Sequence, residues 1–287
     1  MQMMGMDIEA LMEAMDPQLD THGLDAAAIR SHLGDCPWQV YLFSQLDSTN
    51  TALKRIAKEG SPAGTVIVAD RQTGGRGRLG RSFLSPGGAG VYLSALIRPD
   101  CAPMELMHLT CAVAVAMCDA VEAAFGFRPG IKWTNDLVVG SKKLGGILTE
   151  LGLDPKTGRV EHAVLGIGIN CGQTEAELDG SIRDMATSVR MVTGRDPDRN
   201  RLIAEMILAL ERMDRELLTG PAAILERYRR NCITLGQHVS IVRGDEVRHA
   251  LALSIDAAGG LIVRYDDGRL ETVTSGEVSV RGLYGYV

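Results

Sequence analysis

From Trp38 onward, short apolar runs with strand-like patterning alternate with stretches in which apolar residues recur every three or four positions. WQVYLF (38–43) reads as a strand. Asp47-Ser48-Thr49-Asn50 offers several N-cap oxygens before TALKRIAKEG, an amphipathic helix that Gly60 ends. TVIVAD (65–70) and VYLSALIR (91–98) read as buried strands, separated by a glycine-rich loop from Gly74 to Gly90. Pro103 opens a predicted long helix through Phe125, apolar nearly all round and therefore buried. GIKW, DLVV, KKLGGILTELGL and HAVLGIGIN follow as strands, and the acidic segment Glu175 to Asp184 as a loop or short helix. Arg199 to Leu218 carries a 3.6-residue period, and Pro221 starts a further helix to Asn231. After Cys232 the pattern becomes strand, turn, strand, turn, with RGDE, DAAGG, DDG and SGE as the turns. That predicts a small all-β module shaped as a small barrel. Residues 1–35, Met-rich and acidic, read as a frayed helical extension.

Length and composition narrow the function classes. The chain has 287 residues, of which 45% are hydrophobic, enough for a sizeable core. Its formal net charge of −6 argues against a general nucleic-acid binder, and 4% aromatics leave few platforms for base stacking. The longest apolar stretch, Leu109 to Ala124, is interrupted by Asp119 and Glu122, so no membrane span is expected. The N-terminus has no Lys or Arg before Arg30, unlike a secretory signal. Six cysteines show no CxxC and no regular spacing, which suits reduced thiols in a cytoplasmic protein. His108 and Cys111 alone do not make a metal site.

The most informative stretch is Gly74-Gly75-Arg76-Gly77-Arg78-Leu79-Gly80-Arg81. It satisfies the dinucleotide pattern GxGxxG and nearly satisfies a P-loop. Both readings need a helix immediately afterwards, and Ser82 to Gly90 cannot start a long one, so both are set aside. What is left is a flexible backbone with three arginines suited to phosphate or carboxylate. A solvated loop and an RGG-like RNA-binding segment are the competing readings. Lys132-Trp133-Thr134-Asn135-Asp136 and Lys142-Lys143-Leu144-Gly145-Gly146 would bring cations and a carboxylate to one sheet end, unless they form a plain hairpin. The glycines within this strand and within Gly166-Ile167-Gly168-Ile169-Asn170 point to close approach of a ligand or of another backbone.

The set DSTN (47–50), RQTGGRGRLGR (71–81), KWTNDLVVGSKKLGGIL (132–148) and GIGIN (166–170) resembles biotin protein ligase in order and spacing, and GEVSVR (276–281) resembles the end of its C-terminal domain. The resemblance runs from about Trp38 to Arg281. It implies an α+β fold: a mixed β-sheet catalytic domain with flanking helices, of the class II synthetase-like biotin/lipoate ligase type, plus a small C-terminal SH3-like β-barrel. The expected division is an N-terminal extension at 1–35, a catalytic domain at 36–233 and the SH3-like domain at 234–287. Thr134 stands where the family usually has Pro, which is expected to loosen the turn carrying Asn135 and Asp136. Phe83 matches an adenine-stacking position often held by Trp, so weaker adenylate retention is expected.

The implied activity is ATP-dependent formation of biotinyl-5′-adenylate, then transfer to a lysine of a biotin carboxyl carrier protein. By resemblance, Lys143, Arg78 and Asp136 are catalytic. Ser48, Thr49, Asn50, Gln72, Gly75, Arg76, Lys143, Gly146 and Gly166 would bind biotin. Arg76, Arg78, Arg81, Phe83, Asn135, Lys143 and Asn170 would bind ATP and the adenylate. Mg²⁺ is expected with ATP, near Asp136. Since adjacent strand residues point to opposite faces, only one of Lys142 and Lys143 can face the site, and the register selects Lys143. A homodimer built edge to edge through the catalytic sheet is expected, with no nucleic acid and no membrane partner. The rivals are a lipoate-protein ligase or octanoyl transferase, and a biotin-responsive DNA-binding repressor. The latter is disfavoured by the net charge and by the short chain before Ser48, which holds no basic recognition helix.

Overall fold

The computed structural model describes residues 20–178, 180, 182–274 and 279–282. The first nineteen residues of the expected extension, and 276–278 of the GEVSVR stretch, lie outside the described residues. Seven strands form a mixed sheet in the order β1-β2-β3-β7-β6-β5-β4. They are β1 Gln39–Leu46, β2 Thr65–Gln72, β3 Gly90–Ile97, β4 Gly130–Lys132, β5 Asp136–Val139, β6 Lys142–Leu153 and β7 Val160–Asn170. Only β1 and β2 pair in parallel; the other pairings are antiparallel.

The sheet is covered on both faces, which explains why its strands read as nearly continuous apolar runs. Val66 and Val68 of β2 point into the larger core, which helices α3 (Leu109–Phe125) and α5 (Arg199–Glu216) complete. Ile67 points the other way, with Leu96 and Val164, onto Leu53 and Ile56 of α2 (Thr49–Lys58). Asp198 caps α5 by accepting from Arg201 N, and Pro221 opens α6 (Pro221–Asn231) at the position where its missing N–H costs nothing. The short helix α4 spans Val189–Thr193.

Two expectations need correction. The long helix from Pro103 is split into a 3₁₀ turn, Pro103–Leu106, and α3. Pro103–Phe125 is long and apolar enough to cross a membrane, but 72% of its apolar window is buried, as suits a core helix. The extension is not frayed over its described part. Helix α1 (Ala26–Leu33) is capped by Asp25 and packs on α5, with Leu24, Ile29 and Leu33 buried. At eight residues AAAIRSHL is too short to be stable alone, and it holds because its apolar face has somewhere to go.

The C-terminal module is a five-stranded antiparallel sheet in the order β11-β10-β9-β8-β12. Its strands are β8 His238–Arg243, β9 Glu246–Ile255, β10 Leu261–Tyr265, β11 Leu270–Val273 and β12 Ser279–Gly282. It is fastened to the larger unit by polar contacts to backbone. Arg229 of α6 donates twice to Ile255 O, at 2.9 and 2.7 Å, and Trp133 Nε1 donates to Gly259 O at 3.0 Å.

Candidate active site

A cavity of about 620 Å³ opens over the middle of the large sheet, between the N-terminus of α2, the glycine-rich segment and the β5–β6 turn region. Thirteen of the fifteen expected site residues line it: Ser48, Thr49, Asn50, Gln72, Arg76, Arg78, Arg81, Phe83, Asn135, Asp136, Lys143, Gly146 and Gly166. Gly75 and Asn170 do not.

One end of the cavity is a hydrogen-bonded chain of neutral side chains that ends on the Glu150 carboxylate. Thr49 donates to Gln72 Oε1 through its amide (2.9 Å) and hydroxyl (3.1 Å). Gln72 Nε2 donates to Ser85 Oγ at 2.9 Å, and Ser85 donates to Phe83 O at 3.0 Å. Ser94, fully buried in β3, lies 2.8 Å from Thr49 Oγ1 and donates to Asn50 Oδ1 at 2.6 Å. Asn50 Nδ2 donates to Glu150 Oε2 at 2.9 Å and to Leu148 O at 3.2 Å. Asn50 is therefore a brace between α2 and β6 as well as a wall of the cavity. Ser48 caps α2, accepting from Thr51 N at 3.5 Å. A Cβ on Gly166 would lie 2.0 Å from Asn50 Oδ1, which is why that strand position has no side chain.

The glycine-rich segment is folded as a small hairpin rather than an open loop. Gly77 N donates to Arg81 O at 2.7 Å and Phe83 N to Gly75 O at 2.9 Å. Leu79 at its tip has φ 55° and is 60% exposed. As expected, no long helix follows; the only helical piece is the 3₁₀ turn Arg78–Gly80. Gly75 sits behind the cavity lining, where a Cβ would meet Phe83 O at 2.3 Å. Its role in this structure is to let the two hairpin arms close. Arg78 donates to Asn135 Oδ1 at 2.8 Å, so the hairpin reaches across to the β4–β5 turn. Burial lowers the Arg78 pKa, and Asp136 opposes that shift. Arg76 lies 3.6 Å from Glu150 Oε1, which also pairs with Lys54 at 2.6 Å. Burial works against the Glu150 charge, yet Lys54, Asn50 and Arg76 outweigh it and hold the carboxyl below its ordinary range. Phe83 rests on Gly168, where a Cβ would come within 2.6 Å of its ring, and meets Tyr92 edge to face at 6.4 Å.

The other end is ionic. Lys143 Nζ lies 2.7 Å from Asp136 Oδ1, while Lys142, as its neighbour on the strand, turns outward to Arg183 O at 3.4 Å. The β5–β6 register shifts between Leu137 and Val138, so Lys143 pairs with Val138 and Gly145 with Leu137. That bulge brings Lys143 and Gly146 to the same side, which strict alternation would not. A Cβ on Gly146 would come within 3.3 Å of Lys143 Nζ, whereas one on Gly145 would strike Gly168 O at 2.5 Å. Of the two glycines, then, one makes room beside the ammonium and the other lets strands approach.

The turn carrying Asn135 and Asp136 is tied to its surroundings on both sides of Thr134. Thr134 is buried and its carbonyl accepts from Tyr228 Oη at 3.1 Å. Trp133 N donates to Thr234 Oγ1 at 2.9 Å, and Asn135 Nδ2 to Ile147 O at 3.1 Å. Asn170 ends β7 just outside the cavity. Its Nδ2 donates to Thr187 O at 3.1 Å and its Oδ1 lies 3.4 Å from Gln173 Nε2.

Lys132, Trp133, Ile147, Leu148, Ile167 and Gly168 also line the cavity, from runs singled out in the sequence but without an assigned role, and Met185 lines it from outside every such run. Met185 arrives because its carbonyl accepts from Lys143 N at 2.7 Å, adding segment 185–187 beside the start of β6. Ser94 had a legible signal, a lone hydroxyl inside the apolar run VYLSALI; Met185 had none. All six cysteines are buried and unpaired, and burial pushes Cys111, Cys118 and Cys171 up to about 12. None of those three is a candidate nucleophile. No group of three or more His, Cys, Asp or Glu side chains that could hold a metal occurs among the described residues.

The mixed sheet and the small antiparallel sheet each match a known family model. Residues 42–170 match the model of the biotin/lipoate A/B protein ligase family, and residues 234–281 match that of the biotin protein ligase C-terminal domain. The bifunctional ligase/repressor BirA of Bacillus subtilis is 34% identical over 224 residues, covering 78% of this chain and 68% of the relative. The biotin–[acetyl-CoA-carboxylase] ligase of Mycobacterium tuberculosis is 30% identical over 273 residues, covering 93% and 97%. The structure is similar to that of the Aquifex aeolicus biotin protein ligase in complex with biotin and ATP, with a TM-score of 0.72, 28% identity and coverage of 85% and 99%. The chain belongs to the biotin protein ligase family.

Proposed function

We propose that the protein activates biotin as biotinyl-5′-adenylate and transfers it to a lysine of a biotin carboxyl carrier domain. The observation that carries this reading is the Lys143–Asp136 pair beside Gly146, facing the arginine hairpin across a cavity whose far end is neutral. Biotin is a neutral ureido ring on an apolar body with an anionic tail. The Thr49–Gln72 end suits the ring and the Lys143 end suits the tail.

In the first step a carboxylate oxygen of biotin attacks the α-phosphorus of ATP; an O–P bond forms and pyrophosphate leaves. The carboxylate is already ionised near neutral pH, so alignment and positive charge are needed rather than a base. Lys143 supplies charge where the two anions converge, and Arg76, Arg78 and Arg81 supply it from the hairpin. In the second step the carrier lysine must attack as a neutral amine, forming the amide and releasing AMP. Asp136 is the carboxylate placed to orient that amine and take its proton. Phe83 offers a face to adenine beside Gly168. Asn170, at the end of the same strand, would meet the base after modest rearrangement.

Mg²⁺ would arrive with ATP. The donors near the cavity fit only a minor protein contribution to it: Asp136 is engaged by Lys143, and Mg²⁺ on substrate phosphates keeps most of its water. When bound, it neutralises phosphoryl oxygens. A homodimer fits the single-sided pairing of Leu148–Leu153, where Leu151 and Leu153 are exposed. Buried unpaired thiols favour a reducing, cytoplasmic setting.

The test is incubation of purified protein with MgATP, biotin and a carrier domain, followed by carrier mass. One added biotinyl group is expected. A gain with lipoate and none with biotin would move the assignment to the lipoate branch.

A further inference from the structure

The arginine hairpin is rooted in a buried ionic node that the chemistry above does not use. Asp70, two residues before Gln72 on β2, has no solvent exposure. Arg199, the first residue of α5, reaches its Oδ1 at 2.7 Å, and His22 Nδ1 lies 2.7 Å from its Oδ2. The Gly88 amide donates to both carboxylate oxygens, at 3.1 and 3.0 Å. Arg199 further donates to Gly90 O at 3.1 Å and to His22 O at 2.6 Å. A Cβ on Gly87 would come within 3.1 Å of His22 Cε1, and one on Gly88 within 3.2 Å of His22 Cγ. The imidazole therefore lies against the Gly87-Gly88 backbone.

This node touches both roots of the hairpin. The chain leaves the sheet just past Asp70 and Gln72, and it returns through Gly87, Gly88 and Gly90 into β3. A buried carboxylate is tolerated only when its lone pairs are filled, so the node is a rigid anchor while all its donors are present. Two of them, Arg199 and Gly88, belong to the body of the catalytic unit. The third, His22, comes from the N-terminal segment, is half exposed, and has φ 49°. That left-handed backbone is uncommon for residues other than Gly, with Asn, Asp and His the usual exceptions.

We infer that His22 is a positioning residue for the ligase reaction: through Asp70 it fixes both roots of the arginine hairpin and so sets how long the acyl-adenylate is retained. This deepens the proposed function and rests on it. Loosening the roots lets Arg78 move off the intermediate without disturbing Lys143, which is held by β5 and β6. Retention and nucleotide affinity should therefore change while the chemical step at saturation does not.

The experiment uses the full chain with His22→Gly and His22→Asn. Glycine removes the donor but keeps the backbone conformation accessible; asparagine keeps both a donor near the Nδ1 position and the conformation. Release of labelled biotinyl-adenylate, KM for ATP, single-turnover adenylation at saturating substrates and Tm are measured. His22→Gly should release the adenylate roughly two- to tenfold faster and raise KM for ATP similarly, the usual reach of a network mutation. Single-turnover rate should stay within about twofold of wild type, and His22→Asn should restore retention to within about twofold. Wild-type retention in His22→Gly would overturn the inference. So would failure of His22→Asn to rescue, or a single-turnover rate that falls in step with Tm. Wild-type protein that forms no adenylate at all would overturn the ligase reading itself, and the inference with it.

Discussion

At the Thr49–Gln72 end of the cavity, five neutral side chains satisfy one another, from Ser85 through Gln72, Thr49 and Ser94 to Asn50. At the Lys143 end the order is ionic: Lys143 leans on Asp136, whose charge also acts on Arg78 of the hairpin. The contrast follows from what each end must receive. A neutral ring needs fixed dipoles, and these stay ordered at little cost because none is left unpaired. Two converging anions need cations aimed at empty space, and cations so aimed must be balanced before the anions come. The carboxylate of Asp136 provides that balance for Lys143, and Glu150, behind Asn50, provides it for Lys54 and Arg76. The neutral end should thus govern biotin affinity, and the ionic end the rate and the fate of the intermediate.

The largest expected effect breaks the ionic end. Lys143→Ala should lower single-turnover adenylation by about 10²–10³, the loss of a preorganised group worth about 3–4 kcal/mol. Lys143→Arg should rescue poorly, since a planar fork does not replace a compact ammonium. Arg78→Ala should still form adenylate but release it roughly 10- to 150-fold faster, from the loss of about 1.5–3 kcal/mol of charge-assisted contact. Labelling of bystander lysines in a carrier-free mixture checks this. Wild-type release would remove Arg78 from the adenylate-holding set.

Breaking the neutral end should look different. Ser94→Ala leaves Asn50 Oδ1 without its donor and should cost about 1–3 kcal/mol, read as a lower Tm and roughly tenfold weaker biotin binding. The smallest effect sharpens the comparison through pH. The Glu150 carboxyl is held below its ordinary range when folded, so its stabilising contribution is complete above the unfolded value. It is lost as pH falls through the lowered folded value. Acidification should therefore destabilise wild type more than Glu150→Gln, as read by Tm across about pH 6 to 3. Parallel pH curves for the two proteins would contradict the pairing.

How legible these ends were in the sequence differs in the same way. The ionic end is written in local runs, GRGRLGR and KWTND…KK, where charge and glycine stand out against apolar strands. Strand alternation was enough to separate Lys143 from Lys142. Alternation alone would have put Gly146 on the wrong side, because the β5–β6 bulge depends on pairing between strands and not on local sequence. The neutral end is assembled from single polar residues scattered along the chain: the Ser94 hydroxyl stands out in its apolar run, but nothing local shows that it serves the same end as Ser85 and Asn50. The N-terminal segment was misjudged for a related reason. Composition suggested fraying, but Leu24, Ile29 and the Asp70–Arg199 node give residues 20–33 long-range partners that no local pattern reveals. Asn170 matched a motif by spacing, yet its amide is turned toward Thr187.

The division between the two ends is tested most directly by measuring biotin affinity and single-turnover adenylation together in Lys143→Ala, Lys142→Ala and Ser94→Ala. At saturating biotin, Lys143→Ala should lose about 10²–10³ in rate with biotin Kd raised less than about tenfold. Ser94→Ala should keep its rate within about threefold while biotin Kd rises about tenfold. Lys142→Ala should match wild type in both, as suits a half-buried lysine turned away from the cavity toward Arg183 O. A crippled Lys142→Ala, or a Ser94→Ala that loses rate as severely as Lys143→Ala, would contradict it.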